Sequence, residues 1–133
     1  LKGLLPVLLA ASLDMSVQQQ AWIGLAAVCG HLYPLYFRFR GGKGVATFLG
    51  LMLALAWPVG IACCATWLAT AAVSRISSMG ALGAALSAPF WAVMLGYADA
   101  ALLAAVLAAI VVWRHSANIT RIRAGTEPKI GQK

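Results

Sequence analysis

The chain has 133 residues, of which 62% are hydrophobic and only 10% are charged, and its mean hydropathy is +0.88. A soluble domain is roughly 45–50% apolar and about 25% charged, so the composition excludes an ordinary water-soluble protein and indicates an integral membrane protein. The net charge of +7 suits membrane lipid or phosphorylated partners and not nucleic acid, because the aromatic residues that could stack on bases lie inside apolar segments.

Apolar segments alternate with short polar connectors along the chain. Asp14 and Asp99 mark two of the connectors, and the chain becomes a polar tail from Arg114 onward. Because the segments show no strand-like alternation of polar and apolar residues, we expect them to be helices. In chain order the apolar segments are residues 3–13, 21–37, 44–73, 79–97 and 100–113.

Residues 44–73 leave two interpretations open. They contain 30 positions without a charge. A membrane span takes roughly 20 residues, so this segment is long for one span and short for two. Near its middle lies Trp57-Pro58-Val59-Gly60, where a proline and a glycine favour either a turn or a kink.

The distribution of charge favours a hairpin in residues 44–73. With a hairpin, all ten Lys and Arg residues face one side of the membrane, while Asp14 and Asp99 face the other. The positive-inside rule makes the basic side cytoplasmic. With a single helix, Arg75 and the basic tail could not share a side with the basic loop at residues 38–43. We therefore predict an all-α, polytopic membrane helix bundle with about six transmembrane or partly spanning helices in this chain.

The loop before the third apolar segment combines cations with glycines. Lys43 lies among Gly41, Gly42 and Gly44, and such a loop lets backbone N–H groups and an ammonium contact a phosphate. The phosphate-binding-loop pattern G-x-x-x-x-G-K-[ST] is not met, because Gly44 follows Lys43 where that pattern has Ser or Thr. The alternative is an ordinary basic loop that only obeys the positive-inside rule.

Two further polar patches are expected on the same side. Arg75, Ser77 and Ser78 offer a guanidinium and hydroxyls to a phosphate or an oxyanion, although a solvated connector would contain similar residues. In the tail, His115 can move a proton near neutral pH, and Asn118 can orient an oxygen. If the last helix continues, these two residues share one face. The alternative is a basic helix that touches anionic lipid.

The cysteines do not indicate a metal site. Cys29, Cys63 and Cys64 all lie in apolar segments and form no CxxC pair, as is typical of small buried side chains. The chain also lacks an acidic cluster that could hold a divalent cation. We expect neither a metal nor a cofactor.

Three stretches occur in the order of the signatures of a known family. One comprises Gly30-His31 through Pro34 and then Gly41-Gly42-Lys43-Gly44-Val45-Ala46-Thr47. Another is Ser77-Ser78-Met79-Gly80-Ala81. A third is His115-x-x-Asn118-Ile119-x-Arg121 with Gly125-x-Glu127-x-Lys129. On these residues the chain resembles the bacterial integral-membrane glycerol-3-phosphate acyltransferases that use acyl phosphate as donor.

The resemblance implies one reaction and its location. The acyl group of a fatty acyl phosphate would pass to the sn-1 hydroxyl of glycerol 3-phosphate, giving lysophosphatidic acid and inorganic phosphate in phospholipid biosynthesis. The protein would lie in the bacterial plasma (inner) membrane with its active face cytoplasmic, and an upstream enzyme could supply the acyl phosphate. The alternatives are a small anion transporter, which would need polar residues near the middle of the membrane, and an inactive membrane fragment.

The resemblance also implies roles for individual residues. The expected phosphate ligands are Gly41, Gly42, Lys43, Gly44, Arg75, Ser77 and Ser78. The expected catalytic residues are His115, Asn118 and Lys43, and the proton of the attacking hydroxyl passes either to His115 or to the donor phosphate. His31, Arg121 and Glu127 are expected to be structural or supporting, with Glu127 paired to an arginine.

One family feature is missing from the sequence. The family's first signature, a Ser-Gly-Asn…Gly-Ala-Thr-Asn loop preceded by one membrane helix, is absent, and the chain opens at Leu1 inside a hydrophobic run. The family fold has seven membrane helices, so six in this chain would agree with the charge distribution. We therefore expect residues 1–133 to be a single acyltransferase domain that lacks the N-terminal helix and the first signature loop, and that could be inactive alone.

Overall fold

A computed structural model describes residues 4–32 and 43–131 of the chain, apart from the side chains of residues 31 and 32. In this described part all regular structure is α-helical, which confirms the predicted all-α class. In chain order the helices are α1 Leu4–Ser12, α2 Val17–Leu32, α3 Val45–Leu55, α4 Trp57–Ser74, α5 Ser77–Met94, α6 Ala98–Arg114 and α7 Ser116–Arg123.

The helices α1 to α6 follow the apolar segments of the sequence. Among the described residues, α4 and α5 are each long and apolar enough to cross a membrane, and α6 with α7 makes a third if the bent pair counts as one span. Helix α3 has 11 residues and so reaches about 16 Å, roughly half of the hydrocarbon core. The predicted mixture of transmembrane and partly spanning helices is therefore confirmed.

The chain turns sharply at Ala56, between α3 and α4. Ala56 leaves the helical region with φ −148° and ψ 81°, and Pro58 occupies the first turn of α4, where no N–H is needed. The two helices fold back so closely that a Cβ on Gly60 would lie 2.5 Å from the backbone N of Leu53. Residues seven apart in a straight helix would be separated by about 10 Å along its axis. The contact confirms the predicted hairpin in residues 44–73 and rules out a single helix.

Helix α5 is central because it packs on both α4 and α6. A Cβ on Gly80 of α5 would lie 2.8 Å from the backbone carbonyl oxygen of Trp67 in α4, so the two helices touch almost backbone to backbone. Small residues permit this approach in a membrane, where close packing and not water exclusion holds helices together. The buried alanines of α5 are Ala81, Ala84, Ala85, Ala88 and Ala92.

Helices α6 and α7 meet at an angle of 63°, with His115 at the break. The last helix therefore does not continue straight past Arg114, which was the condition for His115 and Asn118 to share one helix face. The ring nitrogen Nδ1 of His115 lies 2.8 Å from the carbonyl oxygen of Val111, so the side chain folds back on the last turn of α6. Beyond the break α7 carries Arg121 and Arg123 in its last turn, and such a polar segment gains nothing by continuing the apolar direction of α6.

The helix order separates charge between the two faces of the bundle. Helix α4 ends at Ser74, α5 begins at Ser77 and α6 ends at Arg114, so these ends of antiparallel neighbours share one face. Asp99 begins α6 at the opposite face, where it lines a groove together with Ser16 from the connector after α1. The described residues therefore agree with the predicted basic and acidic sides.

We predict that Gly60→Ala destabilises the protein, because the added Cβ would meet backbone atoms of Leu53 that cannot move aside. Overpacking of this kind costs roughly 1–3 kcal/mol, which should lower the unfolding temperature of the purified protein in detergent. Gly30→Ala is the matched control, since no atom of the described residues lies within 4 Å of a Cβ at that position. Equal unfolding temperatures for the two variants would contradict the close contact between α3 and α4.

Candidate active site

A cleft of about 600 Å³ lies at the basic face of the bundle. The starts of α3 and α5, the inner part of α4, the break between α6 and α7 and the segment after α7 all contribute to it. The structure therefore brings together described residues from each of the three polar patches that the charge distribution assigned to one side. The polar lining residues are Lys43, Ser77, Ser78, His115, Asn118, Arg121 and Glu127.

Two helices begin at this cleft, and no side chain in the described part of the chain caps either of them. Helix α3 begins at Val45, after Gly44, whose φ of 78° favours glycine. Helix α5 begins at Ser77, after Ile76. The first N–H groups of a helix lack partners within the helix, and the helix dipole makes this end positive. The cleft therefore offers two sets of N–H groups to anions.

Lys43 adds a positive charge directly before α3. Its side chain is exposed and lines the cleft. The ion pair found in the described part of the chain joins Arg121 to Glu127 and does not involve Lys43. The Lys43 ammonium is therefore available to an anion, as a point charge on a flexible side chain.

The carboxylate of Glu127 links α5, α7 and the segment that follows α7. Its Oε1 accepts hydrogen bonds from the Ser78 hydroxyl at 2.6 Å and from the Asn118 amide at 2.5 Å. Its Oε2 accepts from Nε of Arg121 at 2.7 Å. Only 6% of the Glu127 side chain is exposed, so these three donors satisfy an almost completely buried charge.

Glu127 is ionised at neutral pH. Burial raises the pKa of its carboxyl, but the hydrogen bonds from Ser78, Asn118 and Arg121, together with the charge of Arg121, outweigh that effect and lower it to about 2. An ionised carboxylate accepts hydrogen bonds and cannot donate one. Ser78 and Asn118 must therefore be the donors in their contacts with Glu127.

His115 is buried, with 1% of the residue exposed, and still lines the cleft. Its Nδ1 lies 2.8 Å from the carbonyl oxygen of Val111. A carbonyl oxygen only accepts, so Nδ1 carries the proton and Nε2 of the neutral ring keeps a lone pair. Asn118 follows one turn later in α7 and is also buried, with 4% exposed. The break in the helix thus sets a proton acceptor beside an amide.

Some of the predicted site residues lie elsewhere. Arg75 is exposed with a left-handed φ of 58°, and it is not among the residues that line the cleft. Its carbonyl oxygen accepts a hydrogen bond from the N–H of Ile130 at 2.7 Å, which ties the C-terminal segment to the connection between α4 and α5. Gly41, Gly42 and the side chain of His31 lie outside the described residues.

The cleft also has an apolar wall that the sequence analysis did not include in the site. Trp67 lies two turns before the end of α4, about 10 Å inward from Ser74. Gly80 leaves room for it, because a Cβ there would lie 3.2 Å from the indole nitrogen. Helix spacing could have indicated this wall in the sequence. Trp67 lies two turns before the polar connection between α4 and α5, and Ala81 lies one turn after it. The apolar lining residues are Val45, Ala46, Leu49, Trp67 and Ala81.

The arrangement combines an anion-binding half with an apolar half. It suits a molecule with an anionic head and an apolar tail, placed beside a second, polar molecule, with a histidine lone pair available for a proton. Within residues 4–30 and 43–131, no three His, Cys, Asp or Glu side chains come together as a metal site would require.

We predict that acid destabilises the protein through Glu127. Folding lowers the pKa of this carboxyl from 4.5 to about 2, so its stabilisation is present above about pH 4.5 and is lost as the pH falls toward 2. Glu127→Gln should lower the unfolding temperature at neutral pH and flatten its fall across that window. Asp14→Asn, on an exposed connector, is the control and should leave the profile unchanged. Parallel profiles for the wild type and Glu127→Gln would contradict the described contacts.

Sequence relatives of the chain carry one name. A family model described as glycerol-3-phosphate acyltransferase matches residues 1–125. A glycerol-3-phosphate acyltransferase of Ruegeria sp. (strain TM1040) is 64% identical over 110 residues, which cover 83% of this chain and 54% of that protein. One from Cereibacter sphaeroides (strain ATCC 17025 / ATH 2.4.3) is 56% identical over 133 residues, which cover 99% of this chain and 62% of that protein. The chain thus spans little more than half the length of these curated relatives.

Solved structures share the fold. PlsY (YgiH), an integral membrane glycerol 3-phosphate acyltransferase, in its glycerol 3-phosphate form has a TM-score of 0.90 and 34% sequence identity, and the match covers 97% of this chain and 66% of that chain. The lysphosphatidic acid form of PlsY matches with the same TM-score of 0.90. Because the family model matches most of the chain and a solved member has the same helix bundle, this chain belongs to the glycerol-3-phosphate acyltransferase family.

Proposed function

We propose that the cleft transfers the acyl group of a fatty acyl phosphate to the sn-1 hydroxyl of glycerol 3-phosphate. The products are lysophosphatidic acid and inorganic phosphate, and the reaction belongs to phospholipid biosynthesis. The names of the relatives and the glycerol 3-phosphate form of PlsY support the acceptor. The chemistry of the cleft supports the donor.

The observation that carries the proposal is that two uncapped helix starts and Lys43 share a cleft whose other wall is apolar. Both proposed substrates carry a phosphate, and each helix start can hold one. The donor also carries an acyl tail, and the wall formed around Trp67 and Leu49 suits the carbons nearest its carbonyl. A transporter would instead need its polar groups near the middle of the membrane.

The proposed reaction needs no covalent enzyme intermediate, because acyl phosphate is a reactive mixed anhydride. The hydroxyl oxygen attacks the acyl carbonyl carbon, the bond from that carbon to the phosphate oxygen breaks, and phosphate leaves with the electron pair. The hydroxyl proton passes to Nε2 of His115 or to the departing phosphate. What the protein contributes is to hold two anions together, to orient the hydroxyl and to stabilise the developing oxyanion.

The roles proposed for the lining residues follow their chemistry. Lys43 and the N–H groups after Gly44 bind one phosphate, and Ser77 with the start of α5 binds the other. His115 and Asn118 lie at the reacting hydroxyl.

Residues outside the cleft lining, or outside the described part of the chain, keep supporting roles in this proposal. Gly41 and Gly42 extend the first phosphate site, and Arg75 contributes charge from outside the cleft. His31 supports the loop. Within the cleft lining, Arg121 and Glu127 have a supporting role too, because their ion pair holds the cleft together. A larger acyltransferase domain would include residues 1–133.

We place the site on the cytoplasmic side of the bacterial inner membrane. The cleft opens on the face where the described Lys and Arg residues lie, and the positive-inside rule makes that face cytoplasmic. An enzyme that activates fatty acyl groups as mixed anhydrides with phosphate must supply the donor.

An acyltransferase assay on the full-length protein that contains this chain tests the proposal. We expect labelled glycerol 3-phosphate to enter lysophosphatidic acid with acyl phosphate as donor, and acyl-CoA serves as the comparison donor. Lys43→Ala should raise the KM for a phosphate substrate about 10- to 100-fold, because a hydrogen bond to a charged group contributes about 1.5–3 kcal/mol. Arg123→Ala removes an exposed cation outside the cleft and is the matched control. Absence of product with both donors would refute the proposal.

We predict that His115→Gln lowers kcat/KM by about 10²- to 10⁴-fold, the usual contribution of a positioned base, and removes the fall of kcat/KM toward acid pH. Asn118→Ala should lower the rate while the acid limb remains, since the amide does not titrate. A retained acid limb in a slow His115→Gln enzyme would assign the proton to the donor phosphate. Wild-type turnover by either variant would show that the substituted residue does not act in the reaction.

A further inference from the structure

The contact between Ser78 and Glu127 determines the direction of the Ser78 hydroxyl. Oγ of Ser78 lies 2.6 Å from Oε1 of Glu127. A serine hydroxyl has one hydrogen and two lone pairs, whereas an ionised carboxylate has lone pairs only. Ser78 therefore donates its single hydrogen to Glu127.

Ser78 also lines the cleft, although only 7% of the residue is exposed. With its hydrogen committed, the Ser78 oxygen presents lone pairs, which repel a phosphate oxygen and attract an O–H or N–H group. Donation to a carboxylate also increases the electron density on the serine oxygen, so its capacity as an acceptor rises. This polarity differs from the sequence-based prediction, which assigned Ser78 to a phosphate.

We propose that Ser78 accepts a hydrogen bond from a hydroxyl of the acyl-accepting substrate and is not a phosphate ligand. The inference rests on the acyl transfer proposed above. Of its two substrates only glycerol 3-phosphate carries hydroxyl groups, because a fatty acyl phosphate ionised at neutral pH has no hydrogen to donate. Ser78 therefore recognises the glycerol part of the acceptor, while Lys43 and the uncapped helix starts take the phosphates.

The other contacts of Glu127 keep the Ser78 hydroxyl as a donor to the carboxylate. Asn118 donates to the same Oε1 at 2.5 Å, so its amide nitrogen faces the carboxylate and its carbonyl oxygen remains for another donor. Arg121 holds the second carboxylate oxygen at 2.7 Å and prevents the carboxylate from rotating away. A site that reads a hydroxyl through buried acceptors rejects an analogue without it, since the acceptors are then left unpaired.

Two ligands that share a phosphate and differ in their hydroxyls test the inference. The full-length protein is assayed with glycerol 3-phosphate at saturating acyl phosphate, and n-propyl phosphate, which has no hydroxyl, is the competitive inhibitor. For Ser78→Ala we expect the KM for glycerol 3-phosphate to rise about 2- to 10-fold, as for one lost hydrogen bond, and the Ki of n-propyl phosphate to stay within about twofold. Ser116→Ala, an exposed serine outside the cleft, should change neither.

The possible outcomes distinguish an error about Ser78 from an error about the acyl transfer itself. A parallel rise of KM and Ki in Ser78→Ala would make Ser78 a phosphate ligand, and no change in either would mean that it contacts neither ligand, so both results overturn the inference. If the variant has no turnover, the increase in unfolding temperature caused by each ligand replaces the kinetics, and only the increase from glycerol 3-phosphate should shrink. A wild-type enzyme that forms no product refutes the acyl transfer itself.

Discussion

The cleft depends on one buried carboxylate. Glu127 accepts hydrogens from α5 through Ser78 and from α7 through Asn118, and Arg121 balances its charge. Without this carboxylate two buried polar side chains would lose a partner, at a cost of about 1–3 kcal/mol each. The segment after α7 would also lose its side-chain link to the helix bundle. The geometry of the face that carries the polar chemistry therefore rests on a contact between residues 49 positions apart in sequence.

The close packing of small residues is the second constraint. Gly80 and Gly83 bring α5 against α4, and in doing so they align the start of α5 with the inner turns of α4. The polar connection and the tryptophan below it can then line one cleft. In a soluble protein apolar burial would drive such an approach, but among lipid tails it comes from close packing that only small side chains permit.

Hydropathy and charge predicted the helices, the hairpin and the common side of the polar patches, because a membrane restricts both the length of a span and the side of its cations. The break between α6 and α7 was not predictable in this way, since hydropathy and charge do not record the contact of the His115 ring with the backbone of its own helix. The direction of the Ser78 hydrogen was hidden for another reason. It depends on Glu127, a residue distant in sequence. Composition does not reveal where Glu127 lies in the folded protein.

Helices α3 and α4 share the turn at Ala56 but have 11 and 18 residues. At 1.5 Å per residue, the start of α3 lies roughly 10 Å closer to the turn at Ala56 than the end of α4 does. Lys43 and the start of α3 are therefore recessed to about the level of Trp67, whereas α5 begins at the surface. At that depth the exposed Lys43 side chain shares the cleft with the apolar side chains of Leu49 and Trp67. In the proposed reaction, a phosphate bound at Lys43 would therefore lie level with the apolar wall of the cleft and not above it.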